Sequence, residues 1–247
     1  VTTPGGVQLT EAHRLAQSRL AVEATAQMSQ FWRLLQPDRI DETREAWVRA
    51  VSAPLELLRG RSVDLAGVYQ RAFQLGEIGT LDGYPQSVQV DLNRRALTIS
   101  MDVTGPVAAK RAIATSPSLE QAMQKAFTQA VGAASRYVLN GGREYIAQSI
   151  LKNPRSQGYV RITDSRPCYF CAMLASRGAV YKQQSFDLSD ARFAGSGDAK
   201  VHDHCTCQIA SVYQRDEPMT ERQQEWDAIW HNAGGTINDF RRAYDAG

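Results

Sequence analysis

A chain of 247 residues with 43% hydrophobic and 22% charged residues can bury a sizeable core, and this composition excludes bulk disorder. A formal net charge of +2 is too small to imply a polyanion-binding surface, and the doublets Lys110-Arg111 and Arg241-Arg242 read as solvated faces ahead of points of weak DNA contact. The opening VTTPGGVQLTEAHRL lacks a basic-then-apolar secretory pattern, and no apolar run approaches the ~18 residues that span a bilayer, so the expectation is an intracellular or intraparticle protein with no membrane partner.

The first half reads as helical. After Pro4-Gly5-Gly6 the spacing predicts a helix capped by Thr10, with Met28, Phe31, Trp32 and Leu35 on its buried face and Pro37 as its stop. Asp41 opens a second helix through Trp47, Val48 and Val51, expected to end near Pro54, and Ser62 opens a third through Leu65, Val68, Tyr69 and Phe73. Around Asp82-Gly83-Tyr84-Pro85 the period changes. Val88, Val90 and Leu92 alternate, as do Leu97, Ile99, Met101 and Val103, which predicts a hairpin over 87–104.

Ser118 and Gln121 have capping-box spacing ahead of the stripe Met123, Phe127, Val131, Ala134 and Val138, and LNGGR at 139–143 is expected to stop that helix. A short helix through Tyr145 and Ile150 then reaches Pro154, where NPRSQG marks a boundary between a helical domain, 1–155, and a second domain, 156–247. Beyond it, strands are predicted at YVRIT (159–163), AVYK (179–182) and CQIASVY (207–213), with a helical turn at the first cysteine pair and a Gly/Ser/Asp-rich loop at 187–200. Thr220 and Gln223 cap a helix through Trp226, Ile229 and Trp230 that Gly234-Gly235 closes. The fold class is therefore α+β, mainly helical: a helical N-terminal region, a small cysteine-knuckle α+β domain, and C-terminal helices.

All four cysteines fall in RPCYFCAML (166–174) and HDHCTC (202–207). A zinc ion takes four ligands at tetrahedral corners, and a C-x-x-C turn supplies two thiolates from one knuckle. Six candidates compete for the four places: Cys168, Cys171, His202, His204, Cys205 and Cys207. In extended backbone Cys205 and Cys207 share a face, whereas a tight turn would bring His202 in, so an all-cysteine site and a three-cysteine, one-histidine site both stand. Either would be a structural Zn2+ clip closing a loop of about thirty residues.

Other chemistry is constrained by what surrounds the motif. PCYFC at 167–171 matches half of the zinc deaminase signature, but none of the four histidines has glutamate two positions on, so the proton shuttle of that chemistry is missing. A dithiol oxidoreductase would leave the second pair unexplained. A hydrolase, either a thiol protease or a metal-assisted nuclease using His202 or His204 beside the cysteines, is the alternative to a structural role. His13 and His231 read as ordinary helix histidines, and Trp32, Trp47, Trp226 and Trp230 as packing anchors. The first helix, and the last with Phe240 and Tyr244, read as intramolecular packing or as partner surfaces.

TDSRPCYFCAMLASRGAVY followed by VHDHCTCQIASVY resembles the C-terminal motif of the Mu F-like minor head proteins of tailed bacteriophages, in which an aspartate precedes C-x-x-C and a later H-x-x-C-x-C closes the pattern. Asp164 matches the acid, Cys168 and Cys171 the first pair, and His202, Cys205 and Cys207 the closing motif; the family's usual proline after the histidine is replaced here by Asp203-His204. VTGPVAAKRAI (103–113) and RYVLNGGRE (136–144) are similar to segments of the variant found in phages of actinobacteria. The resemblance implies a minor capsid protein of head morphogenesis, located in the capsid interior of the virion and in the host cytoplasm during assembly. Its implied partners are the portal, scaffold or major capsid protein. Some members are labelled maturation proteases, but the residues single out no nucleophile and base, so a protein without catalysis is the expectation.

Overall fold

The computed structural model describes residues 3–164, 166–181 and 205–246. The chain is mainly helical α+β. Helix α1 (Pro4–Trp32) is capped by Thr3, whose hydroxyl accepts from the Gly6 N–H, and Pro4 stands in the first turn, where its missing donor costs nothing. Thr10, the expected cap, is instead buried inside α1, its hydroxyl bonded to the Gly6 carbonyl and 3.0 Å from the Tyr69 hydroxyl.

Helix α2 (Ile40–Ile78) is one element, so neither the expected end at Pro54 nor a start at Ser62 is found. Proline in a helix interior costs about 3 kcal/mol. Trp47, Val51, Leu55, Leu58, Ser62, Ala66, Tyr69 and Phe73 are all buried at three-and-four spacing across it. At about 1.5–3 kcal/mol per large apolar side chain, that stripe outweighs the proline.

The expected hairpin at 87–104 is also corrected. Residues 94–102 form α3 (Arg94–Asp102), capped by Asn93 in left-handed conformation, and continue through a π-helical turn (Val103–Val107) into α4 (Ala108–Thr115). The alternation was ambiguous because every second apolar residue is also an i,i+4 pair. Leu97 and Met101 are fully buried while Ile99 and Val103 are exposed, which is a helical face and not a strand face. The extended backbone before Asn93 takes its partners from the helices: Arg59 donates to the Asp91 carbonyl and the Tyr137 hydroxyl to the Leu92 carbonyl.

Helix α5 (Leu119–Lys152), capped by Ser118 as expected, runs through Gly141-Gly142 without stopping. The glycines serve close approach. A Cβ at Gly142 would lie 2.7 Å from Gln17 Nε2 and 2.9 Å from the Ser62 carbonyl, and one at Gly141 would lie 2.8 Å from the Arg59 carbonyl. In the space they leave, Ser62 Oγ accepts from the Gly142 N–H at 2.9 Å and donates to Gln17 Oε1 at 2.7 Å, joining α1, α2 and α5 through fully buried polar groups.

These helices enclose the largest core, where Trp47 is fully buried and Trp32 meets both Trp47 and Phe127 edge-on at 5.5 and 5.3 Å. Strands β1 (Gly158–Ile162), β2 (Val180–Tyr181) and β3 (Gln208–Val212) form an antiparallel sheet in the order β2-β1-β3, with Val160 opposite Ala210. Val160, Ile209 and Val212 pack with Tyr69 and Phe73 of α2 and Ile146 and Ile150 of α5, so residues on either side of position 155 share one core. The short helix α6 (Tyr169–Ala175) is covered by α7 (Glu221–Asn232) and α8 (Ile237–Ala246) through Trp226 and Phe240. The Thr220–Gln223 capping box of α7 is formed as its spacing predicts.

Candidate metal centre

The C-x-x-C spacing is resolved by a helix start. Cys168 is the N-cap of α6, its sulfur accepting from the Cys171 N–H at 3.4 Å, and Cys171 lies one turn in, on the buried side. Opposite, Cys205 and Cys207 alternate along the extended approach to β3 and turn their sulfurs the same way.

The two segments meet. Cys171 Sγ lies 3.4 Å from Cys205 Sγ and 3.5 Å from Cys207 Sγ, and the latter two are 2.8 Å apart. A disulfide needs about 2.0 Å, and none of the four cysteines forms one. Tetrahedral coordination at metal–sulfur distances near 2.3 Å places sulfurs about 3.8 Å apart, close to the two distances made by Cys171. The three buried thiols are thus positioned to hold one metal ion. Cys168 borders the same cluster, half-buried, beside a cavity of about 200 Å³ lined also by Asp164, Pro167 and Thr206. His202, the expected histidine ligand, and His204 lie outside the described residues.

Two arginines set the electrostatics of the cluster. Arg161, in the middle of β1, donates from Nη1 to Cys207 Sγ at 2.7 Å. Arg143 of α5 reaches in, donating to the Cys205 carbonyl at 2.7 Å and the Cys207 carbonyl at 2.9 Å. Hydrogen bonds from Cys171 and Cys205, joined by the charges of Arg161 and Arg143, pull the Cys207 thiol well below its ordinary range. Cys171 is pushed far up, by its hydrogen bonds to Cys168, Cys205 and Cys207 and by burial. These bonds and charges favour the thiolate form at Cys207, and thiolate is the ligating form.

The surroundings hold both halves in place. Asp164 accepts from the Thr206 hydroxyl at 2.6 Å and from the Arg166 N–H at 2.9 Å, so the acid of the motif fastens the end of β1 to Thr206, between Cys205 and Cys207. The Tyr244 hydroxyl donates to the Pro167 carbonyl at 2.6 Å, and the Arg241 guanidinium lies 5.0 Å from the centre of the Tyr169 ring. The aromatic residues expected as anchors or partner surfaces are packed intramolecularly here, with Trp226 and Phe240 buried against α6.

Sequence reasoning found the cysteines and Asp164 but missed Arg143, Arg161 and Thr206. A signal was present for Arg161, a charge in the centre of an otherwise apolar strand, which is rare unless paired.

Among the described residues no helix is long and apolar enough to cross a membrane. No curated protein and no solved structure matches the chain. The family model of the VG15 protein matches residues 87–233, more than half of the 247-residue chain, from the extended stretch held by Arg59 through the cysteine cluster to the end of α7. The chain therefore belongs to the VG15 family and is a phage virion-associated protein.

Proposed function

We infer that the protein is a structural minor capsid component of the Mu F-like type that acts in head morphogenesis, with its C-terminal part clipped by a structural zinc ion. The observation that carries this reading is the meeting of three buried thiols from segments 34 and 36 residues apart, in a chain of a phage virion family. Cys171, Cys205 and Cys207 would hold the ion, with the fourth ligand from Cys168 or from a histidine of HDHCTC. When bound, zinc supplies a cross-link between α6 and β3, and no step of chemistry is asked of it.

The three buried thiols are engaged with one another, and Cys207 also with Arg161, which favours a clip over a nucleophile. Inside the head the partner is the portal, the scaffold or the major capsid protein. Exposed apolar side chains support such contacts: Val7, Leu15 and Val22 on α1, and Leu57, Val68 and Leu75 on α2, are each at least 46% exposed.

The test is complementation of a phage lacking this gene with wild-type chain or with a Cys171→Ser, Cys207→Ser double variant. Mass spectrometry of purified particles and electron microscopy of heads are the readouts. Wild type is expected in particles at low copy number, with the double variant excluded and heads malformed. Normal infectious heads without the chain would contradict the reading.

A further inference from the structure

Arg161 and Arg143 are only 5% and 2% exposed, and among the described residues neither has a carboxylate partner. A guanidinium stays charged at any physiological pH, and its burial is strongly disfavoured unless an opposite charge answers it. Arg161 donates to the Cys207 sulfur, and Arg143 donates to the Cys205 and Cys207 carbonyls and to Asn140 Oδ1, so both guanidiniums lie against the cysteine segment and the answering charge belongs to the sulfur cluster.

That requirement discriminates between ligand sets. A divalent cation with four thiolates carries two excess negative charges; with three thiolates and a neutral imidazole it carries one. Two buried guanidiniums match the first. Asp164 lines the neighbouring cavity, but it is half-exposed and its carboxylate is taken by Thr206 and the Arg166 N–H, not by either arginine. A fourth sulfur is at hand, since Cys168 is within hydrogen-bond reach of the Cys171 thiol.

We propose that the centre is a four-cysteine site, with Cys168 completing Cys171, Cys205 and Cys207, whose two excess charges are neutralised by Arg161 and Arg143. The proposal rests on the zinc reading above. Arg161 acts as a positioning residue: its N–H draws electron density from the Cys207 sulfur, which leaves a metal-bound thiolate less nucleophilic. The centre is in consequence an inert clip, suited to a protein that receives no repair once enclosed.

X-ray absorption on the full chain loaded with zinc reads the ligand set without any variant. Four sulfurs near 2.3 Å are expected, and a shell that requires one nitrogen overturns the four-cysteine site. His202→Ala and His204→Ala are expected to retain zinc against a competing chelator as wild type does; a tenfold loss in either overturns it too. Arg161→Met is expected to lose at least tenfold in that competition and to be alkylated by iodoacetamide at Cys207 at least tenfold faster, with Arg161→Lys in between. Unchanged competition and alkylation in both arginine variants overturn the role of Arg161. A wild-type chain that holds no zinc overturns the zinc reading itself, and with it this one, before any variant is compared.

Discussion

The helical bundle and the C-terminal part solve the same problem with different materials. In the bundle, long helices bury a contiguous apolar core around Trp47, Leu55, Met101 and Val138, and glycines bring the helices within reach of a shared polar network. Around α6 the apolar cluster is small, and next to it lie thiols and arginines where a core would place leucines. The strands β1 and β3 share the core of α2 and α5, but the seven-residue α6 has only the small cluster around Trp226 and Phe240 to bury it. The difference teaches that packing orders the bundle and the strands set against it, whereas around α6 the proposed metal cross-link would supplement a small apolar cluster.

The largest expected effect separates the two regions by metal. Chelation at neutral pH is expected to abolish the near-ultraviolet signal of Trp226 and Trp230 and to expose amides of β3 and α6–α8 to hydrogen exchange, while α1, α2 and α5 stay protected. Metal binding contributes on the order of 10 kcal/mol to folding in small zinc domains. Uniform loss of protection across the chain would show that the two regions are not distinct.

The converse break is Trp47→Ala. Trp47 is fully buried and edge-on to Trp32, and truncation of a buried tryptophan costs about 3–5 kcal/mol. Denaturant unfolding is expected to report that loss in the bundle, with metal content unchanged. Equal loss of bound metal would contradict the separation.

A pH effect sharpens the bundle side. His13 is stacked on Tyr69 at 4.3 Å and its Nε2 has no hydrogen-bond partner among the described residues. Burial pulls its pKa from 6.5 down to about 4, so the native chain resists the proton that the unfolded chain accepts. Stability is full above pH 6.5 and falls as pH drops from there towards 4, by about 3 kcal/mol at 1.36 kcal/mol per pKa unit. His13→Phe is expected to flatten that acid-side loss; an unchanged slope would place its origin elsewhere.

The smallest effect concerns the fastening of the knuckle. Tyr244→Phe removes the hydrogen bond to the Pro167 carbonyl and is expected to cost about 1 kcal/mol. Faster hydrogen exchange confined to α6 and α8 is the measurement, and a change that spreads into the bundle would count against local fastening.

Much of this was legible in the sequence where a rule has one reading. Ser118 and Thr220 cap their helices, and YVRIT and CQIASVY are strands, because capping geometry and β-branched runs leave little choice. It failed where one pattern serves two structures. Leu97 and Met101 fit both a two-residue and a four-residue period, and Gly141-Gly142 reads as a stop until the neighbouring Ser62 and Gln17 are seen to need the room. The cysteines of the site were visible from spacing alone. Arg143 and Arg161 were not, since a buried cation is recognisable only from its partners, and the cysteines they bond come from sequence positions 46 to 64 residues away.

Metal stoichiometry by mass spectrometry, on protein purified without chelator and with a parallel titration of free thiols, tests the cross-link most directly. One zinc per chain with no reactive thiol is the expected result. No metal, together with one or more reactive or disulfide-linked thiols, would contradict it.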